Sequence, residues 1–338
     1  MKVLVTGGAG FVGSHTVVEL VAAGHEVQVV ENFCNSERWI VERIERITGK
    51  ALALDEVDIR DRAALLGSLQ RFQPDAVIHF AALKSVSESA ERPADYYDVN
   101  VAGTATLLDV MDQVGCHRIV FSSSATVYGQ PDACPVAETA PVGPGNPYGR
   151  TKLIGEWLIR DCVAAPGAAL HAAILRYFNP VGAHPSGLIG ELPRGVPNNL
   201  APYITQTAAG QRDYIRVFGN DYATPDGTGV RDYIHVVDLA KAHVAALGAL
   251  GGRRERDLTL NLGTGRGYSV LELIETFATV VGKPIPYQLQ GRRAGDIGEC
   301  WADPSLANEV LGWRAEESLQ DICTDAWRWQ MNVAGQAG

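Results

Sequence analysis

Short apolar runs rich in valine and isoleucine recur through the first half of the chain. They have the length of buried strands and predict β-strands over residues 2–6, 26–31, 76–81, 118–122 and 172–178. The stretches between them carry apolar residues at helical spacing, which predicts helices over residues 14–23, 99–114 and 148–164. Strands that alternate with helices predict an α/β fold with a Rossmann-like, doubly wound parallel sheet.

The second half of the chain has a different pattern. From about residue 180, glycine, proline and asparagine cluster, which predicts long loops of the kind that carry ligand contacts. A helical pattern over residues 237–250 and a strand-like run over 258–262 predict a return to the first domain. We therefore expect a Rossmann domain over residues 1–179 with returning segments at about 233–263, and a smaller, discontinuous substrate-binding domain within 180–338.

Size and charge narrow the classes of function. A chain of 338 residues exceeds the roughly 250–300 residues at which one hydrophobic core stops growing, so two lobes around a cleft are expected. The formal net charge of −10 argues against nucleic acid and anionic membranes as partners, since both select broad basic faces. The basic cluster at residues 253–256 is interpreted as a solvated loop.

The cysteines and histidines give no sign of a metal site or of disulfides. The cysteines are scattered without a C-x-x-C pair, which is typical of free thiols in a reducing compartment. His79 is predicted to be a hydrogen-bonded core residue, while His235 and His243 have no acidic or cysteine neighbours at ligand spacing. No apolar run has the length of a signal peptide or a membrane span. We predict a soluble, cytoplasmic protein without a metal.

A glycine-rich turn follows the first predicted strand and opens the first predicted helix. Gly7 permits a tight turn, Gly10 lets backbone N–H groups approach a pyrophosphate, and Gly13 lets the helix lie close to the strand. The helix N-terminus would face the phosphates. Glu31 ends the second strand, where a carboxylate can bind the adenosine ribose and repel a 2′-phosphate. This predicts NAD rather than NADP, although Glu31 also fits a surface acid at a strand end.

Tyr148 and Lys152 stand one turn apart on the same face of a predicted helix. An ammonium there, together with the positive nicotinamide of an oxidised cofactor, would stabilise a phenolate and make Tyr148 a usable base. Ser124 follows the strand 118–122 at the carboxyl edge of the sheet, where a hydroxyl can hydrogen-bond a reacting oxygen. The structural alternatives are a packed aromatic beside a surface lysine, and a serine-rich loop that satisfies backbone groups.

These motifs resemble those of a known family. The glycine turn at residues 6–13, the Ser-Ser-Ser-Ala-Thr-Val-Tyr-Gly run at 122–129 and the Tyr-x-x-x-Lys pair are similar to those of the extended short-chain dehydrogenases. More narrowly, the chain resembles the UDP-galactose 4-epimerases from residue 1 to about 329, through residues 176–184, 197–200, 227–235 and 301–303. The resemblance implies that Tyr148 is the base, Lys152 its partner and Ser124 a hydrogen-bond donor.

The resemblance also implies which residues bind ligands. Those implied in the NAD site are Gly7, Gly10, Phe11, Val12, Gly13, Glu31, Asn32, Asn35, Ser36, Asp58, Ile59, Phe80, Ala81, Ala82, Lys84, Asn100, Ser122, Tyr148, Lys152, Tyr177 and Phe178. Those implied in the UDP-sugar site are Lys84, Ser124, Tyr148, Asn179, Asn198, Asn199, Leu200, Val217, Phe218, Arg231, Tyr233, Arg293, Asp296 and Cys300.

The chemistry of the two arginines fits a UDP-sugar site independently. Arg231 and Arg293 can clamp a diphosphate with forked hydrogen bonds. Pairing with Asp232 or with Asp296 is the structural alternative for each arginine.

The expected reaction is the interconversion of UDP-galactose and UDP-glucose. Tyr148 would take the 4′-hydroxyl proton while NAD⁺ oxidises C4, and the transient 4-keto sugar would turn over and be reduced by NADH on its other face. Ala125 and Thr126 stand where related dehydratases carry acidic residues, so simple epimerisation is favoured. The rival functions are a nucleotide-sugar reductase that releases oxidised product and a silent NAD-sensing module.

Cys300 is the informative departure from the family pattern. The resemblance places it at a position that gates the sugar pocket, where a tyrosine is typical of enzymes restricted to plain UDP-hexoses. A small residue leaves room for an N-acetyl group, which gives the hypothesis that UDP-GalNAc and UDP-GlcNAc are also substrates. A buried thiol selected for packing is the alternative. The resemblance further implies a homodimer through paired helices.

Overall fold

The computed structural model of the protein describes residues 1–251, 256–293 and 295–334, so residues 253–255 of the basic cluster lie outside it. The strands are β1 (Lys2–Thr6), β2 (Glu26–Glu31), β3 (Ala53–Glu56), β4 (Ala76–His79), β5 (Arg118–Ser124), β6 (His171–Tyr177), β7 (Asn179–Val181), β8 (Ile215–Phe218), β9 (Val230–Arg231), β10 (Tyr233–His235), β11 (Asp257–Leu262), β12 (Tyr268–Ser269), β13 (Tyr287–Gln290) and β14 (Glu299–Cys300).

Helices occupy much of the chain between the strands. They are α1 (Phe11–Ala22), α2 (Trp39–Thr48), α3 (Arg62–Phe72), α4 (Val86–Glu91), α5 (Pro93–Tyr97), α6 (Gly103–Gln113), α7 (Pro147–Ala164), α8 (Leu200–Ala208), α9 (Val236–Ala249), α10 (Val270–Val281), α11 (Ser305–Leu311) and α12 (Leu319–Ala334). A π-helical turn at Asp98–Ala102 precedes α6, and a 3₁₀ turn at Ala125–Tyr128 follows β5. None of the described helices is long and apolar enough to cross a bilayer.

One parallel sheet forms the centre of the molecule. Its strand order within the described residues is β11-β6-β5-β4-β1-β2-β3. Helices cover both faces, which explains why the strands are continuous apolar runs rather than alternating ones. Along β1, Val3 and Val5 pack into the core beneath α1, α2 and α9, while Leu4 packs into the core beneath α3, α6 and α7. The predicted doubly wound fold is confirmed.

The second domain is built from small sheets and a helical layer. Its strand pairs are β7 with β10, β8 with β13, and β9 with both β12 and β14. Side chains of α8, α10 and α12 form an apolar cluster of their own, centred on Ile204, Phe277 and Ile322. The short strands are connected by long segments at residues 182–199 and 219–229, and the first of these carries the predicted substrate residues Asn198 and Asn199.

Two details differ from the pattern-based expectations. Strand β3 was not predicted, because Ala53–Glu56 contains no β-branched or aromatic residue and its burial is only partial. Helix α6 begins at Gly103, since the backbone before it forms the π-helical turn. One contact lies outside any sequence spacing: His235 Nε2 lies 3.4 Å from Asp325 Oδ2, a residue 90 positions away in the sequence.

Candidate active site

The turn between β1 and α1 has the geometry of a phosphate cradle. Gly7 has a φ of +71°, and a Cβ there would lie 2.7 Å from the backbone nitrogen of Ala81. A Cβ on Gly13 would lie 2.2 Å from the Gly7 carbonyl oxygen, so only glycine lets α1 lie this close to the turn. The N-cap residue Gly10 offers no side-chain cap to the first turn of α1. Backbone N–H groups and the positive end of the helix dipole are therefore available to an anion, which fits the pyrophosphate of NAD.

The adenosine end of the predicted cofactor site is held by backbone contacts. Glu31 is buried, and its carboxylate accepts hydrogen bonds from the backbone nitrogens of Ala9, Asn32 and Phe33 at 3.3, 3.0 and 3.1 Å. Burial raises the pKa of Glu31, against these hydrogen bonds. Two carboxylate oxygens can accept about four hydrogen bonds, so Glu31 retains capacity for ribose hydroxyls.

Asp58 closes the same end of the site. It accepts a hydrogen bond of 3.0 Å from Asn32 Nδ2 and a forked pair from Arg60, at 2.9 and 2.7 Å. The Arg60 guanidinium holds the pKa of Asp58 well below its usual range. The loops after β2 and β3 are thus joined by an ionised carboxylate, and the predicted residues Asn35, Ser36 and Ile59 lie in these loops.

Ser124, Tyr148 and Lys152 converge where β5 ends and α7 begins. Lys152 is 4% exposed, and its Nζ donates a hydrogen bond of 2.7 Å to the Ser122 carbonyl oxygen. The same Nζ lies 5.9 Å from the centroid of the Tyr148 ring. Ser124 Oγ accepts hydrogen bonds from the backbone nitrogen and hydroxyl of Thr126, at 3.2 and 3.0 Å, and also hydrogen-bonds Tyr148. The three predicted catalytic side chains form one cluster.

Burial moves the two titrating groups of this cluster in opposite directions. It raises the pKa of Tyr148 to about 12, although the hydrogen bond from Ser124 opposes the rise. It lowers the pKa of Lys152 to about 7. The prediction that Lys152 and the positive nicotinamide together lower the pKa of the phenol therefore depends on the cofactor, because in the polypeptide alone the Lys152 amine is directed to a carbonyl and loses solvation. A further positive charge beside Tyr148 is needed to form the phenolate.

A buried polar chain supports the floor of the cluster. His79 lies between Thr6 and Thr104, with Nδ1 2.7 Å from the Thr6 hydroxyl and Nε2 3.0 Å from the Thr104 hydroxyl. Burial lowers the pKa of His79 to about 3, so the ring is neutral. The prediction of a hydrogen-bonded core histidine is confirmed. Within residues 1–251, 256–293 and 295–334, no group of three or more histidine, cysteine or acidic side chains is placed to hold a metal.

Asn100 has a scaffold role that the sequence did not show. Its Oδ1 accepts a hydrogen bond of 2.8 Å from the Leu83 backbone nitrogen, and its Nδ2 donates to the Leu83 carbonyl and to Thr151 Oγ1, each at 3.0 Å. The Asn100 side chain thus ties the loop after β4 to α7, the helix that carries Tyr148 and Lys152. Tyr177 also has a scaffold role, because its buried hydroxyl donates a hydrogen bond to Ser122 Oγ on the neighbouring strand β5.

Most of the predicted substrate residues lie in the second domain. Arg231 and Cys300 are paired positions on β9 and β14, and Arg231 donates to backbone carbonyls of Val230, Ile297 and Gly298 rather than to Asp232. Asp232 is instead buried, and it accepts hydrogen bonds from Thr264, Gly265 and Ala302.

Arg293 follows its structural alternative in part. It pairs with Asp296 at 2.9 Å and lies over the Phe218 ring, with Cζ 4.5 Å from the centroid. Val217, beside Phe218 on β8, is buried. The Arg293 side chain is 59% exposed, so it can reach a ligand from the rim.

The strand pair of β7 with β10 places Asn179 opposite Tyr233. Tyr233 is 4% exposed and packs in the second-domain core, whereas Asn179 is exposed. The packing of Tyr233 in the second-domain core therefore fixes β10, and β10 pairs with the strand β7 that carries Asn179.

The sequence missed one acidic residue of this cleft, Glu191. Its carboxylate accepts hydrogen bonds from Lys84, in the loop after β4, and from Asn199, at the start of α8. The neighbouring Asn198 donates a hydrogen bond of 3.1 Å to Ser85 Oγ, and Leu200 packs against the second-domain core. Glu191 stands in a loop with no periodicity, so only the three-dimensional arrangement shows its partners.

Most of the implied cofactor residues lie in segments at the carboxyl edge of the central sheet. Their segments follow the carboxyl ends of neighbouring strands: the turn at Gly7 to Gly13 after β1, the loops after β2 and β3, the Phe80, Ala81, Ala82 and Lys84 segment after β4, and Phe178 after β6. Open parallel sheets bind nucleotides at this edge. The residues present fit NAD, with Glu31 in place to bind a ribose.

Comparison with known proteins agrees with this geometry. The chain matches the family model described as GDP-mannose 4,6 dehydratase over residues 4–326. It is 52% identical over 330 residues to the UDP-glucose 4-epimerase of Dictyostelium discoideum, which covers 97% of this chain and 95% of that protein.

Two solved structures are similar over almost the whole chain. The UDP-glucose 4-epimerase of Stenotrophomonas maltophila, with bound NAD and formylated UDP-arabinopyranose, is 55% identical with a TM-score of 0.97, covering 100% of both chains. The UDP-glucose 4-epimerase of Bifidobacterium longum, in complex with NAD+ and UDP, is 49% identical with a TM-score of 0.94, covering 99% of both chains. The chain therefore belongs to the UDP-glucose 4-epimerases, NAD-dependent isomerases of the extended short-chain dehydrogenase family.

Proposed function

We propose that this enzyme interconverts UDP-galactose and UDP-glucose by inverting the sugar at C4, with Tyr148, Lys152 and Ser124 as its catalytic residues. The observation that carries the proposal is the convergence of these three side chains beside a glycine-rich dinucleotide cradle. A reductase would also use this cluster. A module that only senses NAD would have no use for it.

The polypeptide prepares Tyr148 to exchange a proton with the 4′-hydroxyl of the sugar. Ser124 hydrogen-bonds the phenol and stabilises its ionised form. Lys152 is anchored on the Ser122 carbonyl and presents a buried amine near the phenol ring. When bound, NAD⁺ supplies the reversible oxidation of C4, and its positive ring also lowers the pKa of the phenol.

The cofactor is held by the turn at Gly7 to Gly13, by Glu31 and Asp58 at the adenosine end, and by Lys84 at the entrance. The uncapped N-terminus of α1 binds the pyrophosphate. Because the reaction is redox neutral, the enzyme would need no second redox substrate.

The UDP-sugar is held from the second domain. Arg231 and Arg293 bind the diphosphate with charge-assisted hydrogen bonds, and Asn179 and Asn199 provide neutral polar contacts. Phe218 contributes an apolar face beside Arg293. Epimerisation rather than dehydration is supported by Ala125 and Thr126. The first has no titrating group, and the Thr126 hydroxyl is used in the hydrogen bond to Ser124.

N-acetylated UDP-hexoses are part of the proposal, through Cys300. This residue is 6% exposed and packs in one apolar cluster with Val127, Leu153 and Phe178, which flank the catalytic residues. A tyrosine at this position would need space toward the cleft, whereas the thiol leaves that space to the sugar. The competing interpretation, a thiol selected for packing, is separated by the substrate test below.

A homodimer and a cytoplasmic location complete the proposal. Trp157 on α7 is 52% exposed and Tyr97 on the adjoining α5 is 37% exposed, which gives the paired-helix face apolar side chains for a second copy. Sedimentation of the purified protein tests the dimer. The scattered thiols support a reducing compartment.

The decisive experiment follows UDP-galactose and UDP-GalNAc side by side with purified enzyme and no added NAD. We expect conversion of both to their C4 epimers without accumulation of NADH. Accumulating NADH would identify a reductase, and no conversion of either sugar would favour the sensing module. Conversion of UDP-galactose alone would remove the N-acetyl part of the proposal.

A further inference from the structure

Glu191 joins two predicted ligand-binding residues that are distant in the sequence. Its Oε1 accepts a hydrogen bond of 2.9 Å from the Lys84 ammonium and one of 2.5 Å from the Asn199 side-chain nitrogen. The Glu191 side chain is 10% exposed, whereas that of Lys84 is 51% exposed. The carboxylate is thus largely buried although both donors reach it from exposed positions, and the two donors converge on one of its oxygens.

Asn199 makes an unexpected use of its side chain. It is the N-cap residue of α8, where asparagine ordinarily accepts a hydrogen bond from a backbone nitrogen of the first turn. No such cap bond forms. The amide instead donates to Glu191. Helix α8 thus forgoes a stabilising interaction, and the amide plane of Asn199 is fixed by the carboxylate.

Lys84 links the same carboxylate to the cofactor side of the cleft. Its Nζ lies 6.0 Å from the centroid of the Phe11 ring, and Phe11 is the first residue of α1. The ammonium is therefore close to the helix N-terminus that receives the pyrophosphate. An unpaired carboxylate here would repel a diphosphate, and the ion pair with Lys84 offsets that repulsion.

The backbone of Glu191 is also fixed. Its carbonyl oxygen accepts a hydrogen bond of 2.9 Å from Trp329 Nε1, on the buried face of α12. The loop that carries Glu191 is therefore held by the C-terminal helix, and the carboxylate is presented from a rigid support.

We propose that Glu191 is a positioning residue that sets Lys84 and Asn199 relative to one another and so couples the cofactor side of the cleft to the UDP-sugar side. The inference deepens the proposed function and rests on it, because the ligand roles of Lys84 and Asn199 are those proposed above. Glu191 acts through its two donors, so its loss weakens substrate binding more than chemistry.

The test compares the Glu191→Ala and Glu191→Gln variants of the full-length enzyme. Kinetics with UDP-galactose and calorimetric titration with UDP are measured on both. For Glu191→Ala, we expect KM and the Kd of UDP to rise about tenfold, the effect of losing a charge-assisted hydrogen bond, with kcat changed less than about twofold. Glu191→Gln retains an acceptor oxygen for both donors and should recover most of the affinity. Glu26→Gln is the matched control, since Glu26 pairs with Lys2 at the opposite edge of the sheet.

A double-variant cycle separates positioning from a general structural role. Because Glu191 acts through both donors, Glu191→Ala should raise KM by a smaller factor in the Asn199→Ala background than in wild type. Independent, multiplicative effects would overturn the inference, as would a fall in melting temperature with unchanged KM. If Glu191→Ala does not fold, Glu191→Asp, whose shorter side chain cannot reach both donors, carries the same test. If the wild-type enzyme turns over UDP-galactose and the Glu191 variants have the same KM as wild type, this inference is overturned and the proposed function is not. Absence of wild-type turnover overturns the proposed function and this inference together.

Discussion

Arg231 and Cys300 lie opposite one another on the neighbouring parallel strands β9 and β14. Arg231 is proposed to bind the diphosphate, and Cys300 is proposed to set the size of the sugar pocket. The same pair of strands therefore holds both residues. A change in size at Cys300 acts beside a fixed diphosphate, so it should alter which sugars fit without altering how UDP binds.

Cys300→Tyr tests this relationship. We expect the ratio of kcat/KM for UDP-galactose over UDP-GalNAc to rise at least tenfold, about the effect of a small steric group in an enzyme pocket. The Kd of UDP should stay within about twofold, since Arg231 keeps its backbone hydrogen bonds. Cys300→Ser, which conserves volume, is the control and should leave the ratio unchanged. An unchanged ratio in a well-folded Cys300→Tyr enzyme would show that the thiol serves packing only.

Tyr148→Phe removes the hydroxyl that Ser124 hydrogen-bonds and leaves the ring in place. We expect kcat to fall by about 100- to 10,000-fold, the usual contribution of a general acid or base. NAD content after purification, measured by release on denaturation, should be unchanged because the cradle is untouched. Near-normal turnover by this variant would remove Tyr148 from the mechanism.

Lys152 should impose a pH dependence on the stability of the cofactor-free protein. Burial lowers its pKa to about 7 in the fold, against about 10.4 in an unfolded chain. Between these values the unfolded state holds a proton that the folded state has released, so unfolding takes up a proton and stability rises with pH. Below pH 7 both states are charged and the full cost of burial is present.

The measurement is the free energy of unfolding of wild type relative to Lys152→Met at several pH values. The difference should increase from pH 7 to 10 with a slope approaching about 1.4 kcal/mol per pH unit. A difference that is flat across this range would show that the amine is not desolvated.

Gly13→Ala should disrupt the cradle. The added Cβ would lie 2.2 Å from the Gly7 carbonyl, which forces α1 away from the turn and costs about 1–3 kcal/mol of stability. NAD should also be lost during purification. Gly248→Ala is the control, because a Cβ there meets nothing within 4 Å in α9, and it should stabilise the protein by about 0.4–1 kcal/mol. An enzyme with Gly13→Ala that keeps its cofactor would contradict the close approach.

Local pattern was sufficient for most of the fold and for the grouping of Ser124, Tyr148 and Lys152. Val3 to Val5 are buried on both faces and read as a strand in any context, and the spacing of Tyr148 and Lys152 fixes their common helix face. The glycine turn was predictable because its steric demands are met within a few residues.

The rest depended on contacts between distant segments. Strand β3 lacks strand-forming side chains and is held by pairing with β2. Glu191 meets Lys84 across 107 positions of sequence. The pKa of Tyr148 depends on how deeply the fold buries its hydroxyl and on where the Lys152 amine is directed, and neither quantity is written in a motif.

The return of the chain to the edge of the central sheet has a consequence for biosynthesis. Strand β11 pairs with β6 along its whole length, yet it is reached only after β7 to β10 have been made. During translation, the backbone N–H and C=O groups on that side of β6 remain open until residue 262 has left the ribosome. A nascent or truncated chain that ends near residue 180 would expose this unpaired strand edge to other chains and to chaperones. The central sheet is therefore completed only after the strands β7 to β10 have been synthesised.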